Sequence, residues 1–385
     1  MPNRNVVATA TSPISEAYSW LQTVGHPDTL ELIDVAQAVP GYPPPDSLLD
    51  HLRATDLDPL TRYGSVLGEP GLREALATDI SKAYEAPVAT EQVAITAGAN
   101  QAFCLATLAL CAPGDEVIVP VPYYFNHDMW LNINGIHSVA LPCGDDMLPD
   151  PTDAAELLTE RTRAIVLITP NNPTGQAYPP DLIAAFARLA SANGIYLIVD
   201  ETYRSFRPVT TPPHDLFSDP CWDESLIHLH SFSKVFSITG LRVGGLAAST
   251  DLLVEIDKLA DCLTICPSRV GQEAAEFGLA HLGDWVEENR RTMTRRVTQF
   301  ETLMEESPTP FEVASAGAYF AYVRHPFEGE AATPVARRLL AQQGVLALAG
   351  EMFGTKQHRY LRLAFANLDE ELIPELVRRI NALEE

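Results

Sequence analysis

The chain has 385 residues, of which 46% are apolar and 20% are charged, and its formal net charge is −25. A chain of this length exceeds the size at which one hydrophobic core usually stops growing, so two lobes are expected. The apolar fraction excludes a disordered chain. The negative charge argues against nucleic acid or an anionic membrane as a partner, because the sequence holds no clustered basic face.

Cysteine usage and the first residues bear on the cellular compartment. Six cysteines are scattered without a CxxC pair, which is typical of free thiols in a reducing compartment. Cys262 and Cys266 could share a helix face, but no His or Cys partner stands at ligand spacing, so no metal site is predicted. The first residues, MPNRNVVATATSP, lack the apolar core of a signal peptide, and no run approaches the roughly 18 apolar residues of a membrane span. A cytoplasmic protein is expected.

The central region alternates short β-branched runs with helical patterns. This alternation predicts an α/β fold with a mostly parallel sheet covered by helices. The predicted strands are 116–119, 164–168, 196–199, 226–229 and 243–247, and a helix over 181–192 completes one βαβ unit. The sequence therefore predicts a large domain over 44–285.

The C-terminal third has a different character. A charged helical stretch follows Trp285, then come a strand pair around AYFAYV and YLRLAF and a last amphipathic helix. This pattern predicts a smaller α+β domain over 286–385. The segment 1–43 is too short to be a domain, and we expect it to pack on the smaller domain or on a partner.

The segment SFSKVFSITGLRVG directly follows a predicted strand and contains Lys234, one of four lysines in the chain. A lysine that forms a Schiff base must be partly desolvated, and the end of a buried parallel strand supplies that setting. Ser231, Ser233 and Arg242 offer hydroxyl and guanidinium donors to a phosphate dianion. This combination predicts pyridoxal 5′-phosphate (PLP) bound to Lys234.

Four further segments place polar or aromatic residues next to predicted strands. Asp200 ends the strand in YLIVDETY, where an acid can pair with a protonated pyridine nitrogen, and Tyr203 follows three residues later. Asn172 lies in TPNNPTG, and we expect its bond to Pro173 to be cis. Anion-binding N–H groups at a helix start and a stacking aromatic ring complete the prediction, and the residues are Gly98, Ala99, Asn100 and Tyr124.

These segments together resemble the class I/II aminotransferases, PLP enzymes of fold type I, from about VAQAVPGYPPP to YLRLAFA. The resemblance implies that Lys234 carries PLP, that Asp200 pairs with the pyridinium, and that Tyr203 and Asn172 bind the 3′-oxygen. Tyr124 would stack on the ring, and the phosphate would be held by Gly98, Ala99, Asn100, Ser231, Ser233 and Arg242. Tyr63 matches a tyrosine that reaches the phosphate of the neighbouring subunit, so a homodimer is implied.

The resemblance also implies a substrate site. Arg362 matches the arginine that binds the substrate α-carboxylate, with Arg359 as its rival. Ala38 stands where many members have glycine, and Ala99 where others have a hydroxyl residue, which leaves the shape of the side-chain pocket open. The residues expected to select the side chain are Ala38, Val39, Tyr42 and Tyr123. No motif in the sequence marks a second arginine that would bind the side-chain carboxylate of a dicarboxylic substrate, although Arg269 is a candidate.

The predicted reaction is transamination between an α-amino acid and a 2-oxo acid, with Lys234 moving the Cα proton. A PLP-dependent β-C–S lyase would use the same lysine, aspartate and arginine and remains an alternative. A ligand-sensing module of the same fold is a second alternative, disfavoured because the sequence has no basic winged-helix segment. The lyase alternative stays within PLP chemistry.

Overall fold

The computed structural model describes residues 1–384. Its helices are α1 (Arg4–Ala8), α2 (Pro13–Thr23), α3 (Asp46–Ala54), α4 (Pro70–Tyr84), α5 (Ala99–Leu110), α6 (Phe125–Ile133), α7 (Pro151–Glu156), α8 (Pro180–Ala192), α9 (Phe232–Val235), α10 (Thr250–Thr264), α11 (Arg269–His281), α12 (Gly283–Glu306), α13 (Ala332–Gln343) and α14 (Ile373–Asn381). Its strands are β1 (Ile33–Asp34), β2 (Val93–Thr96), β3 (Glu116–Val121), β4 (His137–Pro142), β5 (Thr162–Ile168), β6 (Tyr196–Asp200), β7 (Leu226–Ser231), β8 (Gly244–Ala247), β9 (Glu312–Gly317), β10 (Phe320–Arg324), β11 (Val345–Leu346), β12 (Leu348–Ala349) and β13 (Tyr360–Leu363).

A seven-stranded sheet forms the centre of the larger part of the molecule, in the order β2-β8-β7-β6-β5-β3-β4. Strands β4, β3, β5, β6 and β7 are parallel, which confirms the predicted α/β fold class. The strand predicted at 243–247 begins at Gly244, and it pairs antiparallel with both β7 and β2. Its connection from β7 contains only the four-residue α9 and a 3-10 turn at Thr239–Leu241, not a crossover helix of the kind that usually joins parallel strands.

The two faces of this sheet pack against separate layers of helices. In β6, Leu197 and Val199 lie in one buried cluster, which includes residues of α4, α8 and α11. Ile198 lies in the opposite cluster with residues of α5 and α10. Since successive side chains of a strand alternate between faces, neighbouring residues at the end of β6 must also project to opposite sides.

A second sheet, antiparallel and ordered β12-β13-β10-β9, forms the smaller part. The pairing of β10 with β13 confirms the strand pair predicted around AYFAYV and YLRLAF. The charged helix begins at Gly283, three residues before its predicted start, and runs to Glu306. Towards the N-terminus, β1 pairs with β11, while Ala17 and Trp20 of α2 lie in the hydrophobic core of this smaller part. Among the helices of residues 1–384, none has the length and apolar character needed to cross a membrane.

Candidate active site

A cavity of about 500 Å³ lies beyond the carboxyl ends of β5, β6 and β7, where ligands bind in open α/β sheets. The structure brings thirteen sequence-predicted residues to its wall: Ala38, Val39, Ala99, Asn100, Tyr124, Asn172, Asp200, Tyr203, Ser231, Ser233, Lys234, Arg242 and Arg362. Arg362 comes from the smaller sheet, Asp200 and Ser231 come from the larger sheet, and the others come from helices and loops that follow its strands or from the chain before α3. The cavity is therefore formed between the larger and smaller parts of the molecule.

Lys234 lies on α9, the short helix that follows β7. Its Nζ donates a hydrogen bond to the backbone oxygen of Ala38. Burial, together with the charges of Arg242 and Arg362, lowers the pKa of Lys234 to about 8. A substantial fraction of its amine is consequently neutral near pH 8, and a neutral amine is the form that attacks a carbonyl.

Asp200 is the last residue of β6 and is only 5% exposed. Burial raises the pKa of its carboxyl group. Its Oδ1 accepts hydrogen bonds from the backbone nitrogen of Thr202 at 3.0 Å and from the Thr202 hydroxyl at 2.7 Å. Because Thr202 binds only Oδ1, the other oxygen, Oδ2, is left for groups on the opposite side of the carboxylate.

His127 is one of those groups, and the sequence reasoning missed it. Its Nε2 lies 3.5 Å from Asp200 Oδ2, and its ring stacks on Phe103 with centroids 3.7 Å apart. Burial lowers the pKa of His127 to about 3, so the imidazole is neutral at ordinary pH. No local sequence pattern marks it as a neighbour of Asp200, because the contact depends on how α6 packs in the fold.

The start of α5 and the loop after β7 form a polar cup on one side of the cavity. Arg242 donates to Ser233 Oγ at 3.4 Å, and the Ser231 hydroxyl oxygen accepts from the Ser233 nitrogen at 3.2 Å. Gly98 has φ +90°, and a Cβ there would collide with the Arg242 guanidinium. A Cβ on Gly244 would lie 2.7 Å from the Ala99 nitrogen. Free helix N–H groups, hydroxyls and a guanidinium together suit a phosphate dianion.

Arg362 reaches the cavity from β13 of the smaller sheet and is 1% exposed. Its Nη1 donates to Asn172 Oδ1 at 3.2 Å and its Nη2 donates to the backbone oxygen of Ala36. Its Nε is buried and has no partner within residues 1–384. The Arg362 guanidinium lies 5.2 Å from the ring centroids of both Phe320 and Phe353. A guanidinium fork of this kind is suited to binding a carboxylate.

The prediction of a cis bond before Pro173 is wrong. Within residues 1–384 the cis bonds precede Pro122 and Pro170, and the Asn172–Pro173 bond is trans. Asn172 nevertheless reaches the cavity, because Asn171 anchors the turn by accepting from the Thr174 nitrogen and hydroxyl at 3.2 and 3.0 Å.

Several other candidates lie away from the cavity. The Arg359 guanidinium donates to the His325 backbone oxygen at 2.8 Å, so it is engaged on another side of β13. Arg269 pairs with Glu69 at 3.3 Å. Tyr63 is 77% exposed on the surface of the chain. None of these three is part of the cavity wall within residues 1–384.

The expected side-chain pocket differs from the observed wall. Tyr42 and Tyr123 lie outside it, because Tyr42 packs edge-on against Trp285 and the Tyr123 backbone is tied to Phe353. The wall instead includes residues that were not predicted from the sequence. They lie at the start of α2, in the segment after β1 and at the start of α6: Ser12, Ile14, Ser15, Gln37, Phe125 and Asn126. These positions carry no motif, since only the tertiary fold brings them to the cavity.

Comparisons with known proteins agree on one family. The model for "Aminotransferase class I and II" matches residues 23–380. An arginine–pyruvate transaminase of Pseudomonas aeruginosa is 30% identical, with 94% of this chain and 88% of that protein covered. An aromatic aminotransferase of Arabidopsis thaliana is 28% identical, with 88% and 86% covered. A Thermus thermophilus aspartate aminotransferase structure, a single mutant, covers 100% of both chains with a TM-score of 0.90 and 25% identity.

Proposed function

The chain belongs to the aminotransferase class I and II family, and on that premise we propose that its cavity holds PLP attached to Lys234. The observation that carries the proposal is the convergence of Lys234, Asp200, Arg242 and Arg362 on one cavity. When bound, PLP supplies an electron sink for the electrons of a broken Cα bond. The protein supplies binding, orientation and proton transfer.

The donor chemistry of the cavity fits this cofactor at both ends. The cup formed by the start of α5, Ser231, Ser233 and Arg242 would hold the phosphate. Asp200 would pair with the protonated ring nitrogen, and a charge-assisted hydrogen bond of this kind is worth about 1.5–3 kcal/mol. The remaining contacts would come from Tyr124 against the ring face and from Tyr203 and Asn172 at the 3′-oxygen.

Two residues of this chain would act on the substrate. Arg362 would bind the α-carboxylate through its guanidinium fork, and the substrate would replace the Ala36 oxygen that now accepts from it. Lys234 Nζ would act as the base that takes the proton from the substrate Cα and holds it within the site for transfer. Its lowered pKa, about 8, gives the amine a larger neutral fraction at any given pH than an ordinary lysine has.

The substrate class follows from the charges on the wall. Within residues 1–384, the cationic side chains that line the cavity are Lys234, Arg242 and Arg362. Each is already assigned to the cofactor or to the α-carboxylate, so none is left for a second carboxylate. We therefore propose amino donors with neutral side chains, with 2-oxoglutarate as the acceptor suggested by family resemblance.

The assembly is proposed to be a homodimer. Tyr63 is 77% exposed and lies outside the cavity of its own chain, which is compatible with contact to a neighbouring subunit. Its hydroxyl would reach the phosphate held by the partner.

A half-reaction assay tests the proposal. Purified protein is loaded with PLP and mixed with single amino donors, and conversion of the cofactor to its amine form is followed by absorbance with and without 2-oxo acids. Transamination requires a 2-oxo acid for multiple turnovers. Sustained release of pyruvate and ammonia from cystathionine without an acceptor would overturn the proposal in favour of a lyase.

A further inference from the structure

A buried polar cluster lies behind the cavity, on the other face of the large sheet. Its centre is Glu201, the residue after Asp200, which is 1% exposed. The sheet face with Leu197 and Val199 continues to Glu201, while the face with Ile198 continues to Asp200. The two adjacent carboxylates therefore point to opposite sides of the same strand end.

Side chains from three different parts of the chain surround the Glu201 carboxylate, and two of them hydrogen-bond to it. His228 Nε2 of β7 lies 2.9 Å from Glu201 Oε2, and the Tyr84 hydroxyl of α4 donates to the same oxygen. His214 Nε2 lies 3.6 Å away. The Leu216 nitrogen donates to His214 Nδ1 at 3.2 Å, which assigns the remaining ring proton to Nε2, on the side of Glu201.

Charge as well as shape holds this group in place. Burial alone would raise the pKa of Glu201, but His214 and His228 hold it well below its ordinary value. The carboxylate is therefore ionised, and an ionised group in the interior is costly to leave without its partners.

A second, partly buried ion pair lies three residues further along. The Arg204 guanidinium pairs with the Asp79 carboxylate of α4. The Arg204 backbone nitrogen donates to the Glu201 backbone oxygen at 2.9 Å. Residues 201–204 thus form one turn whose two ends, Glu201 and Arg204, are both fixed to α4. The two middle residues, Thr202 and Tyr203, line the cavity instead.

We propose that Glu201 is a positioning residue whose buried carboxylate, bound by His228 and Tyr84, fixes the turn that follows Asp200 and thereby holds Asp200, Thr202 and Tyr203 in place against the cofactor. Thr202 connects the two sides, because its backbone nitrogen and hydroxyl both donate to Asp200 Oδ1. Movement of the turn would move those donors, and Asp200 with them. The inference rests on the proposed cofactor site, since it concerns how tightly that site holds PLP.

The test measures the dissociation constant of PLP for the full-length protein by equilibrium dialysis, without any activity assay. Glu201→Gln keeps the size of the side chain and removes its charge, and we expect it to weaken PLP binding at least tenfold. Glu116→Gln is the matched control. Like Glu201, Glu116 is a buried carboxylate with a side-chain partner, in this case Arg161. It lies at the amino-terminal end of β3, at the opposite edge of the sheet from the cavity. The control should change PLP binding less than twofold.

A double-mutant cycle separates positioning from general destabilisation. If Glu201 acts through Asp200 and its turn, Glu201→Gln should weaken PLP binding less than threefold in an Asp200→Asn background. Equal effects in both backgrounds, or a Glu201→Gln constant within twofold of wild type, would overturn the inference. If Glu201→Gln does not fold, Tyr84→Phe is used in the same cycle, because it removes one hydrogen-bond donor to the Glu201 carboxylate. We expect Tyr84→Phe to weaken PLP binding at least threefold. An unchanged dissociation constant of PLP would contradict the inference. Failure of the wild-type protein to bind PLP would instead refute the proposed function.

Discussion

Arg362 Nη1 lies 3.2 Å from Asn172 Oδ1, so a strand of the smaller sheet contacts the loop that follows β5 of the larger sheet. Both side chains are buried, at 1% and 5% exposure. This hydrogen bond joins Arg362, the residue proposed to bind the substrate carboxylate, directly to Asn172, a residue proposed to contact the cofactor ring. A substrate carboxylate bound by Arg362 would therefore lie directly beside the cofactor.

The first prediction concerns this arginine. Arg362→Ala should lower kcat/KM for every α-amino acid by an amount equivalent to about 2–5 kcal/mol, because one partner of a buried charged contact is lost. Arg359→Ala is the control, since that guanidinium binds the His325 oxygen outside the cavity, and it should change kcat/KM less than threefold. A larger loss in the control than in Arg362→Ala would exchange the two roles.

The second prediction concerns Lys234 and pH. Because burial lowers its pKa to about 8, the fraction of neutral amine in the cofactor-free protein increases as pH rises through that value. The rate at which added PLP attaches to the protein should therefore increase from pH 6 and level off above about pH 8 to 9. Stopped-flow absorbance measures this rate. A rate still rising steeply above pH 10 would indicate an ordinary solvated lysine.

A variant completes the test of the attachment site. In Lys234→Ala, borohydride should no longer fix PLP to the chain, as judged by mass spectrometry, although PLP can still bind through its phosphate contacts. Lys258 pairs with Glu255 on the surface of α10, so Lys258→Ala should leave fixation unchanged. Fixation retained in Lys234→Ala would refute the assignment.

The sequence predicted those parts of the site that lie within a few residues of a strand end. Lys234, Asp200 and Asn172 each lie at or just after the end of a predicted strand, and the carboxyl ends of parallel strands meet at one edge of a sheet. His127 could not be predicted as a neighbour of Asp200, because its contact depends on how α6 packs against β6. The direction of β8 and the contribution of Ser12 and Ile14 to the cavity also depend on tertiary packing rather than on local pattern.

The third prediction concerns Asp200. Asp200→Asn should slow removal of the Cα proton by at least a hundredfold while PLP stays bound, because a neutral amide does not stabilise a protonated ring nitrogen. Single-turnover absorbance with an α-deuterated donor measures this step, and an isotope effect should appear in the variant. An unchanged rate would mean that another group protonates the ring, and His127 would be the first to test, at 3.5 Å from Asp200.

The fourth prediction concerns Tyr63 and the dimer. Tyr63→Phe should weaken PLP binding in both sites of a homodimer, because each phosphate would lose the hydroxyl of the opposite chain. A mixed dimer of Tyr63→Phe and Lys234→Ala chains places the single lysine-bearing site opposite the intact tyrosine. That site should bind PLP as the wild type does. Weak binding there would show that Tyr63 acts within its own chain.

The last prediction concerns the amino donor. Ser12, Ile14, Val39 and Phe125 give the wall hydroxyl and apolar surface, and the cations of the wall are already assigned. A carboxylate side chain would therefore lose its hydration without gaining a partner, which is unfavourable. With 2-oxoglutarate as acceptor, kcat/KM for phenylalanine, leucine and methionine should exceed that for aspartate.

The relatives make this comparison informative, because a 28% identical protein from Pyrococcus horikoshii is named an aspartate aminotransferase and one from Arabidopsis thaliana an aromatic aminotransferase. An aspartate kcat/KM about tenfold above the neutral donors, equivalent to ~1.4 kcal/mol in transition-state binding, would contradict the prediction. In that case the second carboxylate must have a cation from elsewhere. Arg269→Ala would then test that candidate: selective loss of aspartate turnover would implicate Arg269, which pairs with Glu69 in this structure, and unchanged aspartate turnover would point to another arginine of the partner chain.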